Sequence, residues 1–260
     1  MARIKDSKAR RNYLINRSQQ IYPSIFQIFK KRLYLFLYGD RDGVSLNFLQ
    51  KSTNGIFQSI EDLLDFESEI PKKASQYIGT ASSLFKEVSI NQSSITSKRW
   101  NAEENLFVLL YCLIRSNKSK FIVETGVANG ITTNAIMNAL KQTGKDGELH
   151  SFDVLPEAKK AYSGPGNWNF HLLPTKNTAR KIKGIVSKFP KVDIWIHDSD
   201  NGYRWQKFEY LLALASLSDN GILISDDIDA SSAWGELAKT HFRKSFIIFD
   251  SRKFIGIAFK

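Results

Sequence analysis

The sequence predicts an α/β fold: a doubly wound, mostly parallel sheet with a C-terminal antiparallel hairpin and an N-terminal helical extension. Two observations predict it. From Lys120 onward, short apolar runs with strand character alternate with longer segments of helical apolar spacing, the pattern of right-handed β-α-β crossovers. The chain then ends on SFIIFDSRKFIGIAFK, two β-rich runs split by a polar turn at Asp250 to Lys253, which reads as a hairpin.

In chain order, residues 1 to about 95 read as a partly helical lead-in, with turn-rich breaks at Gly39 to Gly43 and Ser52 to Gly55 and helical spacing from Ile56 to Phe66. A polar segment, Asn91 to Lys98, marks the boundary, and a unit from residue 96 to 260 follows. Ala102 to Ser116 keeps its apolar residues on a helix-like face. Strands are expected at Lys120 to Glu124, Glu148 to Val154, Asn169 to Leu173, Val192 to His197 and Gly221 to Ser225. Helices are expected at Thr132 to Lys141, Thr178 to Phe189, Tyr203 to Leu217 and Ser232 to His241, with helix-compatible residues also after Val154.

With 260 residues, 42% of them hydrophobic and 24% charged, the chain can bury one sizeable core, and the composition argues against global disorder. The single cysteine, Cys112, allows no internal disulfide, and its setting in FVLLYCLI suits a buried thiol better than a nucleophile. A reducing cytoplasm fits. No secretory signal is legible at the start.

The net charge of +11 is concentrated at one end: residues 1 to 38 hold nine cations against Asp6, so +8 of the +11 lies there. Such an arm suits an anionic membrane surface or another acidic partner, nucleic acid among them, or simply aids solubility. The apolar stretch Ile21 to Tyr38 is split by Lys30, Lys31 and Arg32, so neither half spans a bilayer, although it can lie on a surface, pack on the main domain or join a second subunit.

In a doubly wound sheet, ligands bind beyond the carboxyl ends of the strands, so the loops there carry the chemistry. After the first strand comes Glu124-Thr-Gly-Val-Ala-Asn-Gly130-Ile-Thr132-Thr133. Gly126 and Gly130 let the backbone turn tightly and approach a ligand, and the helix behind them offers free N–H groups. Their G-x-x-x-G spacing departs from the dinucleotide fingerprint. Asp153 ends the second strand, where a carboxylate can accept two hydrogen bonds from a ribose diol.

Two further strands end in clustered carboxylates: His197-Asp198-Ser199-Asp200-Asn201-Gly202-Tyr203, and Asp226-Asp227-Ile228-Asp229. Such groups repel one another unless a cation, a proton or hydrogen-bond donors intervene. The oxygen donors of Asp198, Asp226 and Asp227 suit Mg²⁺, Mn²⁺ or Ca²⁺. No G-x-S-x-G and no H-E-x-x-H is present, which argues against a hydrolytic triad or a zinc protease. Trp195 and Trp205 read as core or pocket wall.

Taken together, residues 96 to 260 resemble the class I S-adenosylmethionine-dependent methyltransferases, especially a group acting on hydroxyls of small molecules and glycans. The segment Glu124 to Thr133 looks like that family's first motif. His197-Asp-Ser-Asp-Asn-Gly-Tyr203, with Gly221-Ile-Leu-Ile-Ser-Asp-Asp227 behind it, looks like its H-D-S-E-H-x-Y and G-G-x-x-x-x-D-D patterns. The resemblance implies a seven-stranded Rossmann-like sheet and S-adenosylmethionine as cofactor. It places Glu124 and Gly126 at the methionine end, Asp153 at the ribose, and Asn177 or Thr178 at the adenine edge. The implied cofactor-binding set also takes in Val127, Ala128, Gly130, Thr132, Thr133 and Asp198.

The same resemblance puts Asp198, Asp226 and Asp227 where metal-dependent O-methyltransferases hold a divalent ion such as Mg²⁺ against the acceptor oxygen. One departure stands out. Asn201 occupies the position of a basic residue and cannot act as a base, so either the metal suffices to ionise the acceptor, another group such as His197 or Lys207 helps, or the acceptor chemistry has changed. With His197, Asp198 and Lys207 as the catalytic set, the alternatives are a binding protein without turnover or an RNA methyltransferase using the basic arm.

Overall fold

A computed structural model describes Leu49 and residues 51–57, 59–91, 94–144, 146–250 and 253–260. The basic arm, the apolar stretch Ile21 to Tyr38 and the break at Gly39 to Gly43 lie outside the described residues. Among the described residues, eight strands form one sheet: β1 (Gly55–Phe57), β2 (Phe121–Thr125), β3 (Glu148–Asp153), β4 (Asn167–Leu172), β5 (Val192–His197), β6 (Leu217–Ser225), β7 (Lys244–Asp250) and β8 (Lys253–Phe259). Their order across the sheet is β1-β7-β8-β6-β5-β2-β3-β4. All pairs are parallel except those of β8, which runs antiparallel to both β6 and β7. The expected hairpin is therefore present, and it inserts its second strand inward, against β6.

Among the described residues the sheet is flanked by α1 (Ile60–Phe66), α2 (Ile78–Asn91), α3 (Glu104–Asn117), α4 (Ile131–Gln142), α5 (Thr178–Val186), α6 (Tyr203–Ser216) and α7 (Ala233–His241). Strand side chains alternate between the two faces. Ile122, Ile194, Ile196, Ile222 and Ile224 pack with α3 and α4 in one buried cluster. Val123, Trp195 and Leu223 pack with α5, α6 and α7 in the other. A sheet covered on both faces explains why its strands read as near-continuous apolar runs.

Three local expectations change. The run from Ile56 to Phe66 is not one helix: Gly55–Phe57 pairs in parallel with β7, and the helix begins at Ile60 because the Ser59 side chain accepts the Asp62 N–H as an N-cap. The seven expected strands thus become eight. After β3 there is only a 3₁₀ turn, Pro156–Lys160, where Pro156 starts the turn and Pro165 with Gly164 and Gly166 keeps the chain irregular up to β4. The strand expected from Gly221 begins earlier, at Leu217.

The order reverses at β2, which has β3 on one side and β5 on the other. This is the topological switch point, the place where sheets of this kind hold their ligand crevice, and Thr125 and His197 lie side by side there. The hairpin also reaches this end of the sheet. Asp250, closing β7, accepts the N–H groups of Asn105 and Leu106 and so caps α3 across 144 residues of chain.

Candidate functional site

The loop after β2 adopts left-handed backbone at Gly126 (φ 86°), Ala128 (φ 47°) and Gly130 (φ 78°). At Gly126 a side chain is excluded twice over, because a Cβ there would also overlap the backbone carbonyl of Asp198. The loops after β2 and β5 are therefore in direct backbone contact, and the Asp198 N–H donates to the Thr125 carbonyl at 2.8 Å.

Asp153 holds this loop in shape. Its Oδ2 accepts the N–H groups of Val127 (2.8 Å) and Ala128 (3.1 Å), and its Oδ1 accepts that of Leu155 (2.8 Å). Successive N–H groups converging on one oxygen form an anion-binding concavity, here filled by the protein's own carboxylate. Three of roughly four acceptor positions of the carboxylate are engaged, which leaves room for one further donor.

Glu124 faces the other way. It is 0% exposed, and its oxygens accept the hydroxyls of Thr132 (2.6 Å), Thr133 (2.7 Å) and Ser151 (2.6 Å). Burial pushes its pKa up to about 7, opposed by those hydroxyls and reinforced by Asp153. Glu124, Thr132 and Thr133 are thus brought together as a closed knot under the loop, fastening the start of α4 to β2 and β3. They do not open onto the crevice.

Asn177 and Thr178 stand apart, beyond the end of β4. Asn177 is exposed with left-handed backbone (φ 60°), and it lines a shallow groove with Lys176, Arg180, Lys181 and Lys188. The Thr178 hydroxyl donates to the Pro174 carbonyl at 2.6 Å.

The carboxylates after β5 and β6 do meet. Asp226 is 0% exposed; its Oδ2 receives the ammonium of Lys253 and its Oδ1 the N–H of Asp227. Asp227 takes left-handed backbone (φ 50°), and its Oδ2 accepts the amide of Asn201 at 2.8 Å. Among the described residues, no donor reaches the carboxylate of Asp198, which is half-buried beside them. Its pKa is pushed well above the usual carboxylate range by burial and then by Asp226, with Lys253 pulling the other way.

The three carboxylates do not fit a divalent metal. Such an ion needs several oxygens turned toward one point, whereas both Asp226 oxygens are engaged by N–H donors, one of them cationic. Among the described residues, no group of three or more acidic, histidine or cysteine side chains is arranged to hold an ion.

Neither base expected beside Asp198 is placed for proton transfer. His197 is 0% exposed: its Nδ1 bonds Glu209, whose Oε2 also accepts Thr125 (2.7 Å) and Ser199 (2.9 Å), and its Nε2 has no partner. His197 therefore belongs to the packing between β5 and α6, because strand alternation turns it away from the crevice. Lys207 points outward to Tyr203 (2.8 Å) and Glu236 (3.1 Å), linking α6 to α7.

Two groups that sequence reasoning passed over complete the site. Lys253, in the expected polar turn, is 5% exposed at the start of β8 and also donates to the Asn101 carbonyl at 3.2 Å. Asn129, inside the glycine loop, is 2% exposed and bonds the backbone of Thr96 (2.7 and 3.2 Å) and the side chain of Asn101 (2.7 Å). Residues 96–101 consequently form a strap pinned to the glycine loop at one point and to the hairpin at the other. Asn129 was legible only as a polar residue in a turn, and Lys253 only as the odd cation before an apolar strand.

Residues 123–228 match a protein family described as a methyltransferase domain. No curated protein matches the chain. A solved structure from Klebsiella pneumoniae, of O-methyltransferase type, shares 14% identity over 72% of this chain and 98% of that one, with a TM-score of 0.51. The O-methyltransferase from Bacillus cereus in complex with SAH shares 12% over 70% of this chain and 100% of that one, TM-score 0.49. TomG, an O-methyltransferase of tomaymycin synthesis from Streptomyces achromogenes in complex with SAM, shares 15% over 70% of this chain and 88% of that one, TM-score 0.48. Identities this low speak to the fold.

Proposed function

We infer that this chain, whose residues 123–228 match a methyltransferase domain, is a class I S-adenosylmethionine-dependent methyltransferase that transfers a methyl group to a hydroxyl of a small molecule or sugar. The observation that carries this reading is the Asp198 carboxylate, left without a donor among the described residues at the switch point and in backbone contact with Gly126. Site chemistry, not fold, has to support a functional assignment.

The residues present fit the cofactor. Gly126, Val127 and Ala128 offer a backbone that a ligand can approach closely, Asp153 retains one acceptor position for a ribose hydroxyl, and Asn177 with Thr178 flanks the next strand end. Glu124, Thr132 and Thr133 support that loop from beneath. The bound cofactor supplies an electrophilic methyl on a sulfonium, so that an alcohol R–OH becomes R–O–CH₃, the sulfonium becomes a neutral thioether, and one proton is released.

Accepting that proton is the task of the chain itself. Asp198 is the group assigned to it, because Asp226 is committed to Lys253, Asp227 to Asn201, and His197 is enclosed. The strap at residues 96–101 is tied to Asn129 of the glycine loop and to Lys253 of the hairpin, and so braces the two against each other beside the acceptor site. Holding the acceptor in line with the methyl group provides most of the rate gain. No step in this reading runs through a divalent metal.

A second reading, cofactor binding without turnover, is favoured by Asn201, whose amide is spent on Asp227. Calorimetric titration with S-adenosylmethionine, followed by transfer of labelled methyl to a panel of alcohols, phenols and sugars, separates the two. Failure to bind the cofactor overturns both.

A further inference from the structure

We propose that Lys253 is the resident cation of the carboxylate cluster, occupying by its ammonium the place a divalent metal would take between Asp226 and its neighbours. Its link to methyl transfer rests on the reading above; the occupancy of the cluster does not.

Three acidic side chains converge at the ends of β5 and β6, and one of them, Asp226, is fully buried. Charges so placed require a counter-charge. The required charge comes from β8, and register explains how it arrives. β8 runs antiparallel to β6 with Gly256 opposite Ser225, so the residues before Gly256 continue past the tip of β6, directly over Asp226.

Lys253 is itself almost wholly buried, at 5% exposure, and is held at two points, Asp226 Oδ2 and the Asn101 carbonyl. A lysine meant only to decorate a hairpin turn would extend into water, as long cationic side chains do elsewhere. The Lys253 ammonium is paired directly with the buried Asp226 carboxylate, the arrangement by which a buried charge is kept. An ammonium and a dication cannot share one carboxylate pocket, since they repel at contact distance in a poorly screened interior.

The consequence is a fixed positive charge beside Asp198. Of the three N–H donors of an ammonium, two engage Asp226 and Asn101. The third, which no described residue takes, can reach an acceptor oxygen as negative charge develops on it. Lys253 thus takes over the orienting and charge-balancing part of a metal ion, with no exchangeable ligand.

The test is direct Mn²⁺ binding, followed by electron paramagnetic resonance, on the full-length wild-type protein and on Lys253→Arg, Lys253→Met and Lys253→Met/Asp226→Asn. Wild type and Lys253→Arg are expected to show no saturable Mn²⁺ signal. Lys253→Met should gain one equivalent of bound Mn²⁺, and the double variant should lose it again. Saturable binding to the wild type at one equivalent overturns the proposal, as does a folded Lys253→Met that takes up no Mn²⁺. Should Lys253→Met not fold, the wild-type and Lys253→Arg measurements decide alone, silence in both supporting the proposal and binding in either defeating it. S-adenosylmethionine titrations on the same samples report separately on the methyltransferase reading, whose failure appears as absent cofactor binding whatever Mn²⁺ does.

Discussion

The ammonium of Lys253, at the start of β8, is bonded to the fully buried carboxylate of Asp226, at the tip of β6, so that the antiparallel hairpin closes an ion pair over the crevice. Both partners are out of water, and removal of one strands the other. Lys253→Met or Asp226→Ala should therefore destabilise the protein by about 3–5 kcal/mol. Replacing both with apolar residues of similar volume should recover most of that loss. Chemical denaturation of the three variants checks it, and strictly additive losses would show that the two groups act independently.

Glu124 gives the folded state a pH dependence of defined sign. Its pKa rises from 4.5 to about 7 on folding, with burial as the main cause. A raised carboxyl pKa means that the folded state binds the extra proton, so the contribution to stability is fullest below the unfolded value and is lost as pH climbs toward about 7. Glu124→Gln keeps the shape and can bond the same three hydroxyls. Thermal unfolding between about pH 5 and about pH 8 should show wild type losing stability relative to Glu124→Gln as pH rises; parallel curves would exclude the assignment.

Asp153 is expected to matter twice, for the loop and for the ligand. Asp153→Ala releases the N–H groups of Val127 and Ala128 as well as any ribose contact, and should weaken S-adenosylmethionine binding by about 1–3 kcal/mol. Asp153→Asn retains one carbonyl oxygen for the loop and should lose less. Calorimetry on both variants measures the difference. Equal affinity for wild type and Asp153→Ala would remove Asp153 from the cofactor site.

Two glycines with left-handed backbone allow a matched comparison. Gly144 (φ 64°) has open space around it, so Gly144→Ala should cost only the backbone term, about 1–2 kcal/mol. At Gly126 a Cβ also meets the Asp198 backbone, so Gly126→Ala must move the β5 loop. Cofactor affinity should collapse in Gly126→Ala and remain unchanged in Gly144→Ala. Similar behaviour of the two would mean that loop contact with Asp198 is unimportant.

Much of the sheet was legible because a parallel strand covered on both faces writes itself as an apolar run, as in FIVET, VDIWIH and GILIS. The loop acids Asp153, Asp198, Asp226 and Asp227 were legible because ligand-side loops follow strand ends. What sequence alone left open was direction and register. Whether His197 faced the crevice or the core depended on the phase of alternation in β5, and one residue of phase inverts the answer. Lys253 reaches Asp226 only because of the β6–β8 register, a contact between residues 27 apart that no local pattern encodes. β1 escaped notice for the same reason: three residues carry no period of their own, and Ile56 and Phe57 become a strand through pairing with β7.

Asp198 provides the sharpest separation of binding from chemistry. Its carboxylate accepts no hydrogen bond from the described residues, so Asp198→Asn removes a proton acceptor while preserving volume and leaving the Lys253–Asp226 pair intact. Turnover should fall by about 10²–10⁴-fold, the usual range for losing a positioned base. S-adenosylmethionine affinity should stay close to that of wild type, because the proton leaves the acceptor and not the cofactor. His197→Asn, by contrast, disturbs the buried contact with Glu209 and should lower stability more than it changes the pH profile of the turnover that remains. If Asp198→Asn turns over at the wild-type rate while a folded His197→Asn loses turnover, the proton passes through β5 toward Glu209, and the roles given to these neighbouring residues have to be exchanged.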